Sequence, residues 1–127
     1  MGSNKTVLGA LSTKLRLSRR NAKVLFRDLC RFLQLCASTS YSLTPTRKID
    51  SAWHVFLELE AEYARHCAAL GRYVNHVVSG DSDSETLENK RRAEMTIALA
   101  QKRFGALSNN WKLASSSCSN CFSGCKD

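Results

Sequence analysis

The sequence predicts an all-α protein, a small single-domain bundle of about four main helices. Three observations carry this. Composition is close to that of ordinary globular domains, with 43% hydrophobic and 24% charged residues in 127, and the mix of Ala, Leu, Arg, Lys and Glu favours helix. One proline, six glycines and 8% aromatics argue against collagen-like, disordered or strand-and-turn-rich chains. Apolar residues also recur at helical spacing over three long stretches. No apolar run approaches the roughly 18 to 20 residues that span a bilayer, and no secretory signal core stands near the start, so a cytoplasmic protein is expected.

Residues 1–17 read as a basic flexible arm. Residues 1–36 hold eight Lys or Arg against the single acid Asp28, so most of the formal net charge of +8 belongs here. Met1-Gly2-Ser3-Asn4-Lys5-Thr6 fits the short pattern for N-myristoylation. The stretch is rich in Arg and Ser and free of acids before Asp28, the composition of a mitochondrial presequence. A leading Met-Gly-Ser is also common in expression vectors.

The helical domain is expected over 18–113. From about Ser18 to Cys36, Leu25, Leu29, Phe32 and Cys36 form an apolar stripe widened by Val24, Phe26, Leu33 and Leu35. Arg20, Lys23, Arg27 and Arg31 follow the same period on the opposite face. Such a face is a solvated surface, or a site that draws nucleic acid, another polyanion or anionic lipid headgroups through its field and counterion release. It lacks the interleaved aromatics of a base-stacking surface.

Thr44-Pro45 reads as an N-cap followed by proline at the first helical position. The second helix carries Ile49, Ala52, Trp53, Phe56 and Leu57, and the stripe resumes at Tyr63, Cys67 and Leu70. On an unbroken helix Glu60 would sit about 20° from Ile49, in mid-stripe. A bend between 58 and 62 is therefore favoured over a buried carboxylate. Gly71 is the expected stop. A last helix opens with Ser82 and Glu85 at capping-box spacing and ends at Phe104 before Gly105. Its expected stripe is Leu87, Arg91, Met95, Ala98 and Leu99, and Trp111 is expected to fold back on the bundle. The core should include Leu25, Phe32, Leu33, Trp53, Phe56 and Tyr63. Apolar surface left open by the last helix makes a homodimer one expected assembly.

Asp50 and His54 lie four residues apart at the edge of the apolar face, so they can touch each other or one shared ion. Either Asp50 fixes the His54 tautomer, or the two are ligands to zinc or another divalent metal, with His76 as the candidate third. The competing reading is a hydrogen-bonded structural histidine. His66 is expected to be exposed. Cys30, Cys36 and Cys67 fall on apolar faces and read as reduced core residues. Residues 114–127 read as a mobile tail in which Cys118, Cys121 and Cys125 form C-x2-C-x3-C, a spacing able to hold a soft metal or undergo redox chemistry, but with three ligands only. There is no Gly-x-Ser-x-Gly elbow, phosphate-binding glycine loop or dinucleotide fingerprint. An enzyme reading would therefore need a metal-dependent hydrolase at Asp50, His54 and His76, and the expectation leans to a non-enzyme.

Arg31-Phe32-Leu33, Leu43-Thr44-Pro45-Thr46, Ile49-Asp50-Ser51-Ala52-Trp53-His54, Tyr63-Ala64-Arg65-His66-Cys67 and Gly71-Arg72-Tyr73-Val74-Asn75-His76, continued by Arg103-Phe104-Gly105 and Trp111, cover roughly residues 24–111. Together they resemble the helical domain of plant glycine-rich-domain-containing proteins and their small bacterial relatives. Members commonly carry two consecutive histidines where Asn75-His76 stands, and a threonine or similar helix-starting residue at Glu60. The resemblance implies an all-helical fold and a recurring role for Asp50, His54 and His76. It implies no particular activity.

Overall fold

The N-terminal residues expected as a flexible arm form a helix, α1 (Gly2–Leu15). Val7 and Leu11 are fully buried, and Leu8 and Leu15 pack beside them. Their spacing of four is one helical face, and burying it against the next two helices makes α1 a wall of the core. The computed structural model describes residues 2–40, 43–75 and 87–113. Arg16 takes a left-handed turn (φ 55°), and Ser18 starts α2 (Arg19–Ser38) by accepting a hydrogen bond from the Asn21 amide.

The second helix of the core, α3 (Arg47–Glu58), starts two residues later than Thr44-Pro45 suggests. Thr46 is its N-cap, because the Thr46 hydroxyl does two jobs: it accepts from the Ile49 amide and donates to the Asn110 carbonyl at 2.6 Å. The expected bend falls at Leu59 (φ −95°, ψ 73°), which separates α3 from α4 (Glu60–Leu70). Glu60 is thereby exposed and no carboxylate enters the apolar stripe. Gly71 closes α4 at φ 87°, a conformation that glycine adopts without Cβ strain.

The last helix, α5 (Leu87–Phe104), packs with a different face from the one expected. Ala93, Thr96 and Ala100 are buried, whereas Leu87 and Met95 are 63% and 46% exposed. Small residues let the backbone approach α2 closely, and the Thr96 hydroxyl accepts from the Thr44 amide and donates to the Arg92 carbonyl. Gly105 (φ 85°) ends the helix, and a single 3-10 turn, Asn109–Trp111, brings Trp111 back into the core at 2% exposure. The described residues therefore make five α-helices and no strand. Leu25, Phe32, Leu33, Trp53, Phe56 and Tyr63 all lie in the core, as expected. The capping pair Ser82 and Glu85 and the tail 114–127 lie outside the described residues.

Candidate functional site

Two exposed faces carry the residues singled out by sequence. On α2, Arg20, Lys23, Arg27 and Arg31 are spaced by three, four and four residues, which puts them on one side of the helix. Two of the four are held in place by neighbours. The Arg27 guanidinium donates from Nε and Nη2 to Asp28 Oδ1 at 3.3 and 3.2 Å. Asp28 itself is completely buried, and its other oxygen accepts from Ser108 Oγ and from Asn110 Nδ2 at 2.9 Å. A buried carboxylate needs such partners, and here they tie α2 to the turn that carries Trp111.

The guanidinium of Arg31 lies over the Phe104 ring, 4.9 Å from its centroid, and that of Arg103 lies 5.8 Å from the same centroid. Two cations sharing one ring are each attracted by its quadrupole, and they join the end of α5 to the cationic face of α2. Arg103 also donates to Ser38 Oγ at 3.3 Å. Arg72, after α4, donates from Nη1 to the carbonyls of Cys36, Ala37 and Thr39 at 3.0, 3.4 and 3.1 Å. Because α2 has no basic residue in its own last turn, these remote guanidiniums answer the partial negative charge of its C-terminus. Sequence reading missed Arg103, Phe104 and Arg72 as parts of this surface because they arrive from elements distant in the chain.

On α3, Asp50 and His54 do meet: His54 Nε2 is 3.3 Å from Asp50 Oδ2, with the side chains 55% and 38% exposed. Their face is open to solvent. His76 lies outside the described residues, as do Cys118, Cys121 and Cys125. Among the described residues no group of three or more His, Cys, Asp or Glu side chains is arranged to hold a metal ion. Cys30, Cys36 and Cys67 are free thiols. Burial pushes the Cys30 and Cys36 pKa values up to about 12, so both stay protonated and poorly nucleophilic at neutral pH.

Behind His54, its neighbour Trp53 donates from Nε1 to the Tyr63 hydroxyl at 3.1 Å, and Tyr63 donates in turn to the Val74 carbonyl at 2.5 Å. This pins the link after α4 against α3. Edge-to-face contacts run from Phe26 to Phe56, Tyr63 and Tyr73. His66, expected to be exposed, is half-buried: its ring stands edge-on to Phe56 at 5.5 Å, and Nε2 is sealed from solvent with no hydrogen-bond partner. The bend at Leu59 rotates α4 so that His66 turns toward α3. Burial lowers its pKa from the usual 6.5.

Compared with protein-family models, with curated proteins and with solved structures, the chain matches none of them. Among the described residues no helix is long and apolar enough to cross a membrane.

Proposed function

We propose that this protein is a non-enzymatic binding module that meets the phosphate backbone of a nucleic acid through Arg20, Lys23, Arg27 and Arg31 on α2, extended by Arg103. The observation that supports it best is the sharing of Phe104 by Arg31 and Arg103. It gathers guanidiniums from two helices about one ring and leaves that ring occupied by cations, so the surface suits phosphates better than stacked bases.

Binding of a 20-base-pair duplex, followed by fluorescence anisotropy over a salt series, tests this. The steepness of log K against log salt grows by about 0.9 for each phosphate contact. Replacing Arg20, Lys23 and Arg31 together by Gln should therefore flatten it by about two to three, with helical content unchanged. Arg27 is kept in the variant because it partners the buried Asp28. Binding that ignores salt, or that survives the triple replacement, rejects the proposal.

A second reading rests on the contact of His54 with Asp50: these two side chains, with His76 as third donor, hold a divalent metal such as zinc in a structural role. The metal content of protein purified without added metal tests it. The expected result is near-stoichiometric metal in the wild type and in a chain ending at Ala114, lost in His54→Ala. Metal lost only on truncation would assign it to Cys118, Cys121 and Cys125. No metal in the wild type would reject both assignments.

A further inference from the structure

A cleft of about 430 Å³ opens where the α1–α2 corner, the start of α3 and the Asn109–Trp111 turn meet. Its size falls in the range of roughly 300 to 1,000 Å³ that small-molecule sites occupy. Leu15, Leu17 and Val24 give it an apolar wall, and Asn21, Lys48 and Asn109 give it a polar one. Among the described residues, Lys48 is the one charged side chain that lines it. Two helices also begin at the cleft: Asn21 is the third residue of α2 and Lys48 the second of α3, so the positive ends of both helix dipoles lie beside it.

On the polar wall, Ser108 and Asn110 already donate to the buried Asp28 carboxylate. Ser51, on the same wall, donates to the Arg47 carbonyl. Recognition of a ligand therefore falls to Lys48 and the two amides. Between the two lining leucines the backbone of Arg16 is left-handed at φ 55°, a conformation that non-glycine residues seldom hold without the surroundings enforcing it.

We infer that this cleft binds a small amphipathic organic acid, with the carboxylate on Lys48 and the hydrocarbon against Leu15, Leu17 and Val24. A preformed pocket with an apolar floor and one cation selects such a ligand by burying its chain while leaving its charge paired. A free acid and the esterified acyl chain of a lipid share the hydrocarbon, but only the free acid presents a carboxylate to Lys48.

Octanoate titrated into the full-length protein by calorimetry, with 1-octanol as its uncharged counterpart, tests the assignment. The expected result is saturable one-to-one binding of octanoate, weaker binding of octanol, and a loss of about tenfold or more in Lys48→Met, as befits a charge-assisted contact. Val24→Trp should fill the cleft and remove binding, while Arg103→Gln should leave it unchanged. Absence of saturable binding overturns the inference, and equal binding by Lys48→Met overturns the choice of an acid. Should Val24→Trp fail to fold, amide shift mapping on the wild type decides: octanoate-induced shifts confined to residues 15–25, 48–51 and 108–110 support the cleft, and shifts centred elsewhere refute it.

Discussion

His66 sits where α4 meets α3 with one ring nitrogen sealed and unpartnered against Phe56. Protonating it in the fold would put a cation where no acceptor waits, which is why burial lowers its pKa from 6.5. The folded state therefore binds this proton less readily than the unfolded chain does. The stability that neutral His66 allows is fully present above about pH 6.5 and is lost as pH falls from there through the lower folded value. The expected outcome is a urea midpoint that drops between pH 7.5 and pH 5 by less in His66→Leu than in the wild type. Parallel drops would show that His66 is not the group responsible. Single residues of this kind were only half legible in the sequence. The Asp50–His54 contact follows from spacing alone, whereas the surroundings of His66 depend on a bend whose place, Leu59, no spacing specifies. Asp28 shows the same limit, because its partners Ser108 and Asn110 lie 80 and 82 residues further on.

Among the elements, α2 is bounded by two different devices. Its start is local: the Ser18 hydroxyl accepts from the Asn21 amide. Its end is closed from outside by Arg72, which gathers three carbonyls of the last turn and the residue after it. Replacing Arg72 by Met keeps the aliphatic stem but removes the donors, and is expected to lower stability by about 0.5 to 1 kcal/mol, read from the denaturant midpoint. An unchanged midpoint would mean that water caps the helix equally well. The misjudged face of α5 has a plain physical cause. Hydrophobic patterning gives weight to Leu87 and Met95, but the helix docks through Ala93, Thr96 and Ala100, where small side chains permit closer approach. The break at Leu59 was foreseeable because an uninterrupted helix would have buried Glu60.

For the molecule as a whole, the helical class and most of the core were legible because α2 and α3 have strong apolar faces. The contribution of α1 was not. Val7, Leu8, Leu11 and Leu15 stand at helical spacing, but Gly9 interrupts them, and the surrounding cations invite a targeting reading instead. Once Val7 and Leu11 are seen in the core, removing this segment would strip apolar surface from α2 and α3 as well as a leader-like sequence. The excess charge is likewise arranged rather than merely present: Lys14 is paired with Glu58 across α1 and α3 at 2.7 Å, while the line from Arg20 to Arg31 turns outward.

The turn that returns Trp111 to the core has a consequence for how the protein is made. Asp28 emerges from the ribosome early, buried by design yet without the two side chains that satisfy it, and Thr46 waits equally for the Asn110 carbonyl. Helices can form one after another as the chain lengthens, but the bundle cannot lock until residue 111 is free of the exit tunnel. Translation that stalls after α5 would therefore leave a nascent chain with most of its helices and an open seam, the form that chaperones and proteases recognise.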